Sequence, residues 1–250
     1  MSTTTAQKMG QTDSVESTSN NDTVGVANPS DSTEFASPTK SKPHRTRVYT
    51  KTGDRGTSAL YNMRRASKSS DTFHCLGEVD ELNAFIGNAK EYCVHISTLA
   101  DQLETIQARL LDIGSHIATP LTESTQQQLD RTKFDDANVI LLEHWIDVMD
   151  DQLPALRNFI LPSGGKSSSH LHIARAVCRR AERSTIPLLE RNDIDNVVCR
   201  YLNRLSDYLF VAGRYAAQLD GCDEVTWSKP SFKQIQQSGT NTSTLKHSKK

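Results

Sequence analysis

No apolar run in this sequence approaches the roughly 20 residues that a bilayer-spanning helix needs. No C-x-x-C pair occurs, and the cysteines are five in number: Cys75, Cys93, Cys178, Cys199 and Cys222. An odd count without paired spacing argues against a disulfide framework and against a structural zinc site, and it suits a reducing compartment. The spacing of a Walker A loop, G-x-x-x-x-G-K followed by Ser or Thr, is missing. A formal net charge of -1 gives no general attraction for nucleic acid or for a membrane. Any anion binding must come from local clusters of Lys and Arg. Strand signals are scarce as well.

Helical periodicity is what the sequence has in quantity. Phe73, Leu76, Val79, Leu82, Phe85, Ile86 and Ala89 recur at steps of three and four, as do Leu99, Leu103, Ile106, Leu110, Ile113 and Ile117. A third set is Val139, Leu142, Ile146 and Met149. A fourth helix is predicted after Gly164-Gly165, with Ser167 or Ser168 as its N-cap, running to about residue 190. A fifth starts at Asp195 and reaches about Leu219. Five long helices imply an all-α, antiparallel five-helix bundle over residues 44–228. The flanking segments 1–43 and 229–250 are polar, and their composition reads as disordered tails. The first 43 residues carry five acidic side chains and no Arg, which suits neither a secretory signal nor a mitochondrial presequence and points to the cytoplasm.

Four places could carry chemistry. On a helical wheel, His172, Arg175, Arg179, Glu182 and Arg183 share one arc, with Leu171, Ala174, Val177, Cys178 and Ala181 opposite. Arg175, Arg179 and Arg183 stand at i, i+4 and i+8, where like charges repel unless an anion neutralises them. A polyphosphate would do so, since the guanidinium fork matches phosphate oxygens. A solvated charged face fits the same pattern. Arg180 projects about 100° away from Arg179. On the fifth helix, Arg200, Asn203, Arg204, Asp207 and Arg214 form a similar stripe, read as a subunit contact, a ligand wall or a salt-bridged surface. The segment 45–68 holds Gly53 and Gly56 among Thr50, Lys51, Thr52, Thr57, Ser58 and Lys68, a composition open to a phosphate cradle or to an ordinary turn; Val48-Tyr49 could be extended. Phe159-Ile-Leu-Pro-Ser-Gly-Gly165 joins the third and fourth helices and could offer an apolar wall to a flat ligand. No nucleophile–base pair stands out, and neither His74 nor His172 has an obvious orienting carboxylate by spacing.

Five segments in order resemble the PduO-type cob(I)alamin adenosyltransferases. They are Tyr-Thr-Lys-Thr-Gly-Asp-Arg-Gly-Thr at 49–57, Gly-Glu-Val-Asp-Glu-Leu-Asn at 77–83, the 159–165 run, Leu-His-Ile-Ala-Arg-Ala-Val-Cys-Arg-Arg-Ala-Glu-Arg at 171–183, and Tyr-Leu-Asn-Arg-Leu-Ser-Asp-Tyr at 201–208. The resemblance spans about 45–228. It implies a homotrimer of five-helix bundles with ATP between subunits, and transfer of the adenosyl group of MgATP to the cobalt of cob(I)alamin. It implies nucleotide contacts at Thr50, Lys51, Thr52, Gly53, Ser58, Lys68, Arg179, Arg180, Glu182, Arg183 and Asn203. Asp80 and Arg175 would pair across the subunit interface, Phe159 would close the lower face of the corrin, and Asp207 would lie near both substrates. A reductase would supply Co(I), and a cobalamin-dependent enzyme would accept the product. Ala59, where a hydroxyl is common, and His170, where a small apolar residue is usual and which is expected to face solvent, depart from the pattern. Two other readings are a helical interaction protein and a corrinoid- and ATP-binding chaperone that does not turn over.

Overall fold

The computed structural model describes residue 49 and residues 51–229. Val48, Thr50 and the tail segments 1–43 and 230–250 lie outside the described residues. The elements are β1 (Thr57–Ala59), β2 (Arg65–Ser67), α1 (Asp71–Cys93), α2 (Ser97–Ile117), α3 (Gln126–Thr132), α4 (Ala137–Asp150), α5 (Gly165–Glu190) and α6 (Asn196–Leu219). Among the described residues no helix is long and apolar enough to cross a membrane.

The five long helices are those expected from the periodicity. α5 is the central rod, packed against α1 on one side and α6 on the other, with α2 beyond α1 and α4 beyond α6. Ion pairs fix the directions. Arg191 at the end of α5 meets Asp71 at the start of α1, so these two run antiparallel. Arg200, Arg204 and Arg214 of α6 meet Asp136, Glu143 and Asp150 in ascending order along α4. The helices therefore alternate up and down along the chain, while α4 and α6 lie side by side and parallel.

The core is the predicted apolar stripe. Leu82 and Ile86 from α1, Leu103, Ile106 and Ile113 from α2, Leu171 and Cys178 from α5, and Leu202, Leu205 and Leu209 from α6 are fully buried. The face of α5 turned into this core ends in small side chains, Ala174, Cys178 and Ala181, which lets its neighbours approach closely. Tyr208 is buried with its hydroxyl donating to Gln102 Oε1 at 2.9 Å. Burial pushes the Cys75 thiol up to about 11 and the Cys93 thiol up to about 12, so these cysteines pack as small hydrophobes.

Three details differ from the sequence reading. α5 begins at Gly165, two residues earlier than Ser167, and its N-cap is Gly164 in the left-handed region with φ 88°. Ser167 and Ser168 are buried in the first turn: their hydroxyls donate to the carbonyls of Tyr92 and Ser163. β1 and β2 form an antiparallel hairpin, Thr57 opposite Ser67 and Ala59 opposite Arg65, where only a loop was expected. α3 is a short extra helix, opened by a capping box between Thr125 and Gln128.

Gly164 is required twice over. Its φ excludes most L side chains, and a Cβ there would sit 2.6 Å from Ala217 Cβ on α6. Gly164→Ala should destabilise the fold by about 1–3 kcal/mol. Urea unfolding followed by circular dichroism checks this; an unchanged midpoint would mean that the turn relaxes freely.

Candidate functional site

The loop that enters the hairpin is a built turn. Lys51 has φ 58° and Gly56 has φ 75°. The Gly56 amide donates to the Gly53 carbonyl at 3.2 Å, and the Lys68 amide donates to the Gly56 carbonyl at 2.9 Å. One guanidinium nitrogen of Arg65 donates to the Thr52 carbonyl, the Thr57 carbonyl and the Thr57 hydroxyl at 2.7, 3.1 and 2.8 Å. Arg65 was not singled out from the sequence. Its signal is the hairpin register, which puts it across from Ala59 and diagonal to Thr57. The Lys68 ammonium lies 3.1 Å from the point where a Gly53 Cβ would stand, so the glycine makes room for it. Lys51, Thr52, Asp54, Arg55, Thr57 and Arg65 line an open basin of about 700 Å³. Ser58, one residue from Thr57, faces the other side of the hairpin.

The second group stands on α5 and α6. Arg179 and Arg183 are exposed, and Arg183 Nη1 donates to the Arg179 carbonyl at 2.9 Å. Among the described residues neither guanidinium has an ion-pair partner. Asn203 Nδ2 donates to Glu182 Oε1 at 2.8 Å, tying the two helices at this level. Arg180 is different. It reaches sideways to α1, where Glu78 and Glu81 both accept from its guanidinium. The basic run thus divides as the wheel separated it: Arg180 clamps α1 to α5, and Arg179 and Arg183 face outward. Asp207 lies one turn beyond Asn203, 2.9 Å from Arg204, which also reaches Glu143 of α4 at 3.0 Å. Both Arg204 and Arg200 are therefore paired to α4, the salt-bridged surface among the readings of that stripe. Arg214 belongs to no surface: it is only 4% exposed.

Arg175 lies with its guanidinium carbon 5.3 Å from the centre of the Phe210 ring. Asp80 faces a separate groove of about 500 Å³ lined by residues of the hairpin, α1 and α2. The two do not pair within the chain. Phe159 is 80% exposed and sits with Leu156 and Trp227 in a groove of about 430 Å³.

Among the described residues no two histidines pair with each other. His74 does have a carboxylate neighbour, contrary to the sequence reading: Glu78 stands one turn on at 3.8 Å, although it is already engaged by Arg180. His170 is half-buried and stacks on Tyr92 with ring centres 3.9 Å apart, where solvent exposure was expected. His172 shares the arc of the arginines but packs against Gly213 and Phe210, largely buried. Burial, and secondarily the Arg175 guanidinium, hold its pKa below the ordinary value of 6.5.

Fold and site together describe a helical bundle with an outward pair of guanidiniums, a hydroxyl- and lysine-bearing loop and a groove that exposes Phe159 and Trp227. The family model described as cobalamin adenosyltransferase matches residues 48–216. The mouse corrinoid adenosyltransferase MMAB is 46% identical over 184 residues, covering 73% of this chain and 78% of the relative. The corrinoid adenosyltransferase of Bacillus subtilis is 39% identical over 186 residues, covering 73% and 93%. A variant PduO-type ATP:corrinoid adenosyltransferase from Lactobacillus reuteri, solved in complex with cobalamin and ATP, superposes with a TM-score of 0.68 at 35% identity, covering 73% of this chain and all of that one. The chain belongs to the cobalamin adenosyltransferase family.

The His172 shift has a sign that can be tested. A base whose folded pKa is depressed binds fewer protons folded than unfolded, so stability is complete above about 6.5 and declines as pH falls below it. His172→Leu should flatten this part of the profile. Urea midpoints at pH 5.5 and 7.5 compare the two proteins; identical pH slopes would locate the acid sensitivity elsewhere.

Proposed function

We propose that this chain transfers the 5′-deoxyadenosyl group of ATP to the cobalt of cob(I)alamin, forming adenosylcobalamin and triphosphate. The observation that carries the reading is the outward pair Arg179 and Arg183, unpaired among the described residues beside the tied Glu182–Asn203 couple, in a chain of this family. The Co(I) electron pair attacks C5′, a Co–C bond forms, the C5′–O bond breaks, and triphosphate leaves with its electrons. No proton moves in this step. The protein's work is to align the reactants and to stabilise charge on the leaving oxygens. Arg179 and Arg183 are assigned that charge, with Lys51, Thr50, Thr52, Gly53 and Lys68 holding phosphates and ribose from the loop, and Ser58 meeting the nucleotide from the opposite face of the hairpin. Arg180 acts indirectly, by fixing α5 to α1.

The basin at the loop is lined by nothing from α5 or α6. This supports a site completed by a second copy, the loop of one subunit meeting α5 of its neighbour in a homotrimer. The separation of Asp80 from Arg175 within one chain supports the same assembly, with the pair formed across the interface. Mg²⁺ fits this site only as part of the substrate. Among the described residues no three His, Cys, Asp or Glu side chains gather as a cage, and nucleotide phosphates commonly bring Mg²⁺ with them. Phe159 is assigned to the lower face of the corrin, where an apolar wall excludes an axial ligand.

Loss of Co(I) absorbance on mixing cob(I)alamin, MgATP and protein measures the reaction; folded protein without turnover refutes it. Arg179→Ala should lower kcat/KM for ATP about ten- to hundred-fold, the worth of a charge-assisted phosphate contact. Unaltered kinetics in that variant would move the site elsewhere. Phe159→Ala should impair a coupled assay that starts from Co(II) more than one supplied with Co(I). Equal losses in both assays would remove Phe159 from the axial position.

A further inference from the structure

Arg214 is the one arginine of α6 whose side chain is sealed from solvent, at 4% exposed. A buried guanidinium is costly unless its nitrogens are occupied. Nε lies 3.2 and 3.4 Å from the two carboxylate oxygens of Glu224, Nη2 donates to the Pro154 carbonyl at 2.8 Å, and Nη1 stands 3.9 Å from Asp150. Asp150 closes α4, while Pro154 and Glu224 belong to the two segments that build the groove at Phe159. Pro154 opens the stretch that leads to Phe159, and Glu224 immediately precedes Val225, Thr226 and Trp227.

Beyond Arg214 the two segments join in a short antiparallel ladder. The Leu161 amide donates to the Val225 carbonyl at 2.8 Å, the Trp227 amide donates to the Phe159 carbonyl at 2.7 Å, and Ile160 bridges Thr226. The Val225 amide donates to the Ser163 hydroxyl at 2.9 Å. At the free end stand Phe159 and Trp227, 80% and 49% exposed, with Leu156 in the same groove. Neither aromatic ring lies on a helix. Their placement relative to the bundle depends on the ladder, and the ladder is charge-anchored to α6 at Arg214.

We propose that Arg214, through Glu224, is a positioning residue for the corrinoid: it locks the strap at 222–229 to the loop at 154–163, so that Phe159 and Trp227 form one wall at a set height above α6. This rests on the reading that places the corrin against Phe159. Arg214 touches no substrate. Its effect is on where the wall stands.

The test uses the full chain and two variants, Glu224→Gln, which keeps the shape and removes the charge, and Arg214→Met. Glu224→Gln should speed hydrogen exchange at the Leu161 and Trp227 amides and raise KM for cob(I)alamin about ten-fold, leaving KM for ATP within about two-fold. Glu224→Asp, which restores the charge, should recover most of the loss. Faster exchange with an unchanged corrinoid KM would reduce the clamp to a structural tie and overturn the proposal, as would a parallel rise of both KM values. If Arg214→Met does not fold, Glu224→Gln decides alone. Wild-type protein without turnover would refute the adenosyl-transfer reading separately. The binding arm then still decides: in a Trp145→Phe background, quenching of Trp227 emission by cob(II)alamin should be about ten-fold weaker in affinity with Glu224→Gln. Equal affinity, or no quenching in the parent protein, overturns the proposal.

Discussion

The packing of α5 between α1 and α6 is the constraint on which the other features depend. One face of this helix must be narrow enough for two neighbours to approach, and Ala174, Cys178 and Ala181 provide that. Residues on the opposite arc are thereby turned away from the core: Arg179 and Arg183 are exposed, and Arg175 and Glu182 are half-exposed. A helix of 26 residues repeats this geometry with a regular 1.5 Å rise per residue, so the guanidiniums occupy set heights along a rigid axis. The charged face follows from the apolar face.

Repulsion along that face is relieved unevenly, and the unevenness separates scaffold from site. Arg180 is answered by two carboxylates of α1, and Glu182 is held by Asn203. Arg200 and Arg204 are answered by α4. Exposed pairs of this kind contribute little each to stability, but they orient side chains and fix helix directions. Arg179 and Arg183 remain without a countercharge among the described residues. In the proposed site these two adjacent cations are the ones offered to the polyphosphate.

Residues whose surroundings are local could be read ahead from the sequence, and those with distant partners could not. The long helices were legible because their apolar period is intrinsic to each segment. The separation of Arg180 from Arg179 was legible because a wheel needs only the helix. Arg214 was misplaced for the complementary reason: the wheel sets it in line with Asp207, but its environment comes from Pro154 and Glu224, 60 and 10 residues away. The hairpin escaped notice because strands of three residues carry almost no periodic signal. The cap of α5 was misread because serines are strong N-cap candidates, whereas here the left-handed glycine and the close approach of Ala217 decide where the helix starts. The loop, arginine and Phe159 assignments owe their specificity to the family resemblance, since each motif alone fits a turn, a surface or a loop.

A reaction whose nucleophile is a reduced metal centre asks little of acid–base chemistry and much of distance. The cobalt must stand in line with C5′ while the phosphates are held on the far side. In the proposed site the nucleotide is met by Asn203 and the corrin wall is anchored at Arg214, eleven residues further along one unbroken helix. That interval is about 16 Å of α-helix, and it cannot stretch. On this proposal α6 acts as the ruler between the two substrates, and the strap and loop, which lack helical support of their own, inherit its rigidity through the pairing of buried Arg214 with half-buried Glu224. The burial of Arg214 is costly for stability, and its return is a substrate spacing that does not drift with the loops.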